Sequence, residues 1–285
     1  MRPPRFLASV MAFSYAAFAR AVAGGYFCRP ARTRASRRFY RALFPERGGL
    51  YHLWCVFRQF QNFTTIHADR FRATLGLEPV FTSEGLERLQ QAVENGQGAI
   101  LLMSHLGNWE MAARLLARRL PDLKLLLHMG EKEREGIEGS QKMSLRRQGV
   151  GIAALGRQEN DPFRAVAGLR FLQAGGVVSL AGDIVWQENQ RFLEVDFLSA
   201  RVRLPAGPFA LALASGAPVF VFFAFRMGRN RYHFRLAEAI FVRAENRAGR
   251  GEAIQAAARR YAELLEQAVR EHPCQWYHFD DFLED

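Results

Sequence analysis

From residue 83 onward, short apolar runs alternate with amphipathic stretches, and this constrains the fold more than any other feature of the chain. "AILLMS", "LKLLLHM", "VGIAAL", "VVSLAGD" and "APVFVFFAF" have the length and composition of buried strands. "SEGLERLQQAVENG" reads as a helix with Ser83 as N-cap and Gly96 near its end. "WEMAARLLARR", residues 133–148, "DPFRAVAGLRFLQAGG", "PAGPFALALASG" and residues 251–271 complete the helices. Residues 184–204 read as a long connection, and "RYHFRLAEAIFV" as a strand pair or a long edge strand. Upstream, Leu53, Val56, Phe57, Phe60, Phe63 and Phe71 recur at helical spacing. The alternation predicts an α/β fold: a mostly parallel central sheet with helices on both faces.

In such sheets ligands sit beyond the carboxyl ends of the strands. Three side chains with chemistry fall at that edge: His105, His128 and Asp183. Spacing alone does not rank the histidines. His105, His128 and His233 each have an acid five positions on, at Glu110, Glu133 and Glu238. Context separates them. His233 lies in an alternating strand pattern, and His128 leads into a charged segment. Only His105 is followed by a glycine turn and then an apolar helix. A plain reading makes Asn108 the N-cap and Glu110 a first-turn acid favoured by the helix dipole. A catalytic reading fits the same residues. A neutral His105 takes a proton from a hydroxyl, Glu110 fixes its ring, and the helix amides or Asn108 receive an oxyanion.

Other chemistries lack their motifs. There is no G-x-S-x-G elbow, no H-E-x-x-H and no P-loop. "GVGIAA" precedes or enters a strand instead of following one, so it is a helix stop and strand start. Cys28, Cys55 and Cys274 are widely separated, which argues against a zinc ribbon or a disulfide framework and for a reducing compartment. No metal and no bound cofactor are expected.

The net charge of +11 becomes informative once it is located. Residues 1–72 hold thirteen arginines and two acids, Glu46 and Asp69, while the remaining residues hold 26 basic and 26 acidic side chains. A positive field confined to one quarter points to an anionic partner. Residues 6–19, bracketed by Arg5 and Arg20, are too short to span a bilayer alone. Extension to residue 27 places Arg20 near the middle. The stretch shares the outline of a signal peptide, but its preferred reading is an interfacial helix. No nucleic-acid motif accompanies the arginines, and their apolar neighbours suit lipid, so nucleic acid is not expected as a partner. The expected organisation is a basic, apolar membrane-associating segment over residues 1–41 and one α/β domain over residues 42–285.

At this point the residues resemble a family. "SHLGNWEMAARLL" resembles the signature block of the bacterial lipid A biosynthesis acyltransferases, within the lysophospholipid acyltransferase superfamily. "RASRRFYRALF", "GGVVSLAGD", "VDFLSARVRLPAGPFALALASGAPVF" and "HPCQWYHFDDF" agree, so the resemblance covers about residues 30–285. It is nearest the branch found in aryl-polyene-type gene clusters. The resemblance implies that His105 is a general base with Glu110 as its partner. It implies direct attack of an acceptor hydroxyl on an acyl-carrier-protein or CoA thioester, used as co-substrate, without an acyl-enzyme. It further implies that Asp183 and "SARVRLPAGP" line the site, beside Asn108. Two positions depart from the pattern: Ile184, where relatives often have Arg, and Ser199, where Gly is usual. Arg201 and Arg203 are the expected substitutes for binding an anionic group. The terminal "QWYHFDDF" is expected to pack as a closing flap, or to border an acyl channel through Trp276 and Phe279.

The expected function is therefore transfer of a fatty acyl group to a hydroxyl or amine of a lipid or glycolipid acceptor. The expected location is the cytoplasmic face of a bacterial inner membrane, peripheral or monotopic, with an anionic membrane surface as partner. A non-catalytic lipid- or carrier-binding protein of the same fold is the alternative. The His105, Asn108 and Glu110 combination favours the enzyme.

Overall fold

The computed structural model describes residues 4–120, 122–130, 151–155, 162–185, 189–279 and 282–283. The helix expected over residues 133–148 lies outside them. Three helices come first: α1 (Arg5–Phe27), α2 (Pro30–Leu43) and α3 (Gly49–Thr74). Then follow β1 (Val80–Glu84), α4 (Leu86–Glu94), β2 (Ala99–Met103), α5 (Trp109–Arg119), β3 (Leu125–Gly130), β4 (Gly151–Leu155), α6 (Pro162–Gln173) and β5 (Val177–Ala181). The chain continues through β6 (Phe192–Phe197), β7 (Ala200–Pro205), α7 (Gly207–Ser215), β8 (Val219–Gly228), β9 (Arg231–Leu236) and α8 (Arg250–Glu271).

Among the described residues, seven strands form one sheet in the order β1-β9-β8-β2-β5-β3-β4, in which only the β8–β9 pair is antiparallel. The α/β class with a mostly parallel sheet is thus as expected. β2 is buried along its whole length because both neighbours and both faces are covered, which is why it reads as an unbroken apolar run. The principal core combines this sheet with α2, α3, α7 and α8, through residues such as Tyr40, Phe60, Val219 and Tyr261.

Three local expectations are corrected. Ser83 is not a helix cap: it belongs to β1, an exposed edge strand whose polar "TSE" imitates a helix start, and the helix begins after Gly85. Residues 184–204 contain a hairpin, β6 paired with β7. Its turn residues Leu198 and Ser199 have φ of 50° and 63°, a left-handed backbone that glycine would adopt without strain. The Leu198 N–H donates to Glu266 Oε2 on α8 at 2.8 Å, which fixes the turn. Finally, β9 is not an edge strand, because it lies between β8 and β1, and Ile240 adds only an isolated bridge to Val219.

The N-terminal quarter is packed against the rest. α1 runs antiparallel to α3, with Tyr15 stacked on Phe71 at 4.6 Å and Phe27 edge-on to Phe57 at 5.9 Å. Small residues face inward, Ala8, Ala12, Ala19 and Ala23, and allow close approach, while Phe6, Phe13 and Phe18 face outward. Helix Phe6–Phe27 is long and apolar enough to cross a membrane by length and composition. A division at residue 41 would cut through α2, whose Phe39, Tyr40 and Leu43 belong to the principal core. Packing therefore sets no boundary there.

Candidate active site

β2 and β5 are adjacent and parallel, with Met103 opposite Ala181. Two residues past those partners come His105 and Asp183. An equal offset from paired strands puts the two side chains side by side, although 78 positions separate them in sequence. His105 Nδ1 lies 2.9 Å from Asp183 Oδ1, and the His105 backbone N–H donates to Asp183 Oδ2 at 2.7 Å. The imidazole is 31% exposed, whereas the carboxylate is fully buried. Burial pushes the Asp183 carboxyl upward. The His105 ring, His278 and the indole N–H of Trp276 outweigh that and hold it at about 2. A charged carboxylate accepting from Nδ1–H leaves the tautomer whose lone pair is on Nε2.

The turn after His105 is fixed by backbone contacts. Gly107 has φ of 82°, and a Cβ there would lie 2.2 Å from the Ala224 carbonyl, so only glycine fits. Its N–H donates to Gln275 O at 2.9 Å, and the Asn108 N–H donates to Ala224 O at 2.8 Å. These contacts hold the start of α5 against β8 and against residues 275–277. Gly182 is also required, since a Cβ would meet the Tyr261 ring and Leu102 within 2.8 Å.

The structure separates residues that the sequence had grouped. The carboxylate on His105 Nδ1 is Asp183, not Glu110. Glu110 is buried beside α3, where Arg70 Nε approaches its Oε2 at 2.8 Å and Arg114 its Oε1 at 3.6 Å. The Arg70 contact is ionic, without the direction of a good hydrogen bond. Glu110 sits on the first turn of α5, and that turn presents it to Arg70 instead of the strand edge. Burial lowers the Arg70 pKa while Glu110 opposes that shift.

Asn108 is the helix cap of the plain reading. Its Oδ1 accepts from the Met111 N–H at 3.4 Å, its Nδ2 donates to Tyr232 Oη at 3.2 Å, and the side chain is fully buried. That geometry does not offer it to an oxyanion. Tyr232 in turn donates to Asp69 Oδ2 at 2.8 Å, which also accepts from Arg226 Nε at 2.7 Å. This buried network had no local sequence signal, because its members come from α3, β8 and β9.

The profile of the bacterial lipid A biosynthesis acyltransferase family matches residues 56–282. The chain belongs to that family. It is 29% identical over 196 residues to the phosphatidylinositol mannoside acyltransferase of Mycobacterium tuberculosis (strain ATCC 25618 / H37Rv), covering 68% of this chain and 57% of that protein. It is 27% identical over 138 residues to the phosphatidylinositol mannoside acyltransferase of Mycolicibacterium smegmatis, covering 47% and 42%. The matches thus span 57% and 42% of the length of these two curated relatives. In this family member the matched segment includes His105, Asp183 and Trp276, while α1 and α2 precede it.

Arg201 and Arg203 alternate with the buried Val202 and Leu204 on β7 and so take the outer face of the hairpin. Arg201 lies 3.3 Å from Asp196 and 3.9 Å from Glu194, and Arg203 stacks over Phe192 at 4.5 Å. His128 lies within β3, and its side chain is outside the described residues. Trp276 is buried against Phe39, Phe197 and Phe282, in keeping with a segment that closes over the core. The His278 ring lies edge-on to that of His105 with centroids 6.0 Å apart.

Proposed function

We propose that this protein transfers a fatty acyl group from the thioester of an acyl carrier protein or CoA to a hydroxyl, or an amine, of a lipid or glycolipid. The observation that carries the reading is the pair His105 Nδ1 and Asp183 Oδ1, 2.9 Å apart at neighbouring strand ends, within a chain of this family. His105 Nε2 takes the proton as the acceptor oxygen attacks the thioester carbon. Asp183 holds the ring and stabilises the imidazolium that forms. Collapse of the tetrahedral intermediate breaks the carbon–sulfur bond, the proton passes to the departing thiolate, and ester and thiol are the products. No enzyme nucleophile is required, so no acyl-enzyme forms.

The reading places the reaction at the cytoplasmic face of a membrane. The outward Phe6, Phe13 and Phe18 of α1 supply burial in lipid, and the arginines of α2 supply attraction to anionic headgroups. The test uses full-length protein on anionic vesicles with an acyl thioester and a lysolipid acceptor, following thiol release and the acylated product. His105→Ala should lower turnover at least about a hundredfold. Wild-type turnover by a folded His105→Ala variant would sink the assignment.

A further inference from the structure

Asp183 can turn about its side-chain bonds, and a rotation would take Oδ1 away from His105. What prevents this is the occupancy of the other oxygen: Oδ2 accepts from the His105 N–H at 2.7 Å and from Trp276 Nε1 at 3.0 Å. Two donors on Oδ2 from different directions fix the plane of the carboxylate, and Oδ1 is left facing Nδ1. An indole N–H suits this place, since it only donates and cannot compete for the proton on His105.

Trp276 is itself held firmly. Its ring meets Phe39 at 4.9 Å, Phe282 at 4.9 Å and Phe197 at 5.5 Å. Its carbonyl accepts from Gln59 Nε2 at 2.5 Å. The residues beside it join the His105 turn at both ends: Gln275 O accepts from Gly107 N–H, and Tyr277 N–H donates to His105 O, each at 2.9 Å. From the other side, Asn62 Nδ2 donates to Cys274 O at 2.9 Å and Tyr40 Oη to Pro273 O at 3.0 Å. The segment from residue 273 to 277 is therefore a strap between the N-terminal helices and the histidine turn.

We infer that Trp276 is a positioning residue for the His105–Asp183 pair, acting through the N–H it donates to Asp183. The kinetic arm of its test rests on the acyl-transfer reading above; the spectroscopic arm does not. Trp276→Phe removes the donor and keeps an aromatic ring. Replacement of Trp276 by benzothienylalanine keeps the whole bicyclic shape with sulfur in place of the N–H, which covers the case in which the phenylalanine variant does not fold. Phe282→Leu loosens the ring packing and leaves the N–H.

In full-length protein with 15N-labelled histidine, the His105 Nδ1 proton bonded to Asp183 should resonate at low field and vanish in His105→Ala. In the variants lacking the N–H this resonance should shift or broaden, and kcat should fall about ten- to a hundredfold, with each KM changing less than about threefold. Phe282→Leu should keep the resonance and most of kcat. An unmoved resonance and unchanged kcat in a folded variant lacking the N–H would overturn the inference, as would an equal loss in Phe282→Leu. If the wild type shows the resonance but no acyl transfer, the assigned reaction fails while the role of Trp276 stands on the resonance alone.

Discussion

The turn after β2 and the hairpin β6–β7 are both rich in polar side chains near the core, yet they are built in opposite ways. At the turn, charge is buried and paired: Asp183 is fully buried with three donors, and Glu110 is enclosed by two arginines. On the hairpin, charge is exposed and paired loosely, with Arg201 66% exposed beside Asp196 and Glu194. A buried carboxylate is retained at high desolvation cost only where its partners are fixed. An exposed ion pair contributes about 0–1 kcal/mol and constrains little. The partly exposed His105, backed by a buried carboxylate, has the arrangement a base needs, and the hairpin arginines do not share it.

The sharpest way to break this comparison is Asp183→Asn. It preserves shape and removes the charge behind His105, so turnover should fall about a thousandfold while the fold persists. The same variant carries a pH signature. The Asp183 carboxyl is held at about 2, below its ordinary value of 3.8. A depressed pKa gives stability that is present above the unfolded value and lost as pH falls from about 4 towards 2, on the order of 2 kcal/mol. Chemical unfolding followed across that range should show the loss in wild type and a smaller one in Asp183→Asn. Retention of full turnover would remove Asp183 from the chemistry.

Glu110→Gln separates the two acids. It should leave Arg70 buried against a neutral partner and cost about 3 kcal/mol of stability. Below the lowered melting temperature, kcat should remain within about threefold of wild type. A loss of kcat as large as that of Asp183→Asn, in folded protein, would restore Glu110 as the partner of His105. The smallest effect belongs to Arg201→Ala. With its guanidinium on the outer face, stability should change by less than about 0.5 kcal/mol and KM for either substrate by less than about twofold. A tenfold rise in KM would mean that the outer face of the hairpin binds substrate.

Much of the fold was legible because its signals are local. The apolar runs of β2 and of β8 up to Phe225 are continuous since both faces of these strands are covered, β5 is interrupted only by the buried Ser179, and α5, α6 and α8 carry helical periodicity. What failed was what lies at the margin or at long range. The edge strand β1 is polar enough to pass for a helix start, and the hairpin resembles a connection because its outer residues are charged. His105 and Asp183 were both visible at the strand ends, but not their contact.

By itself the sequence determined the strand-and-helix alternation, the histidine at a strand end, the capped helix after it and the confinement of net charge to the first quarter. These follow from periodicity, turn chemistry and composition, which act over a few residues. Only the tertiary structure decided which carboxylate meets His105. Five residues along a turn and a helix start carry Glu110 round to Arg70, whereas the register of two parallel strands brings Asp183 beside the imidazole and the strap brings Trp276 to its other oxygen. Strand register and packing are properties of the assembled sheet, and no spacing along the chain encodes them.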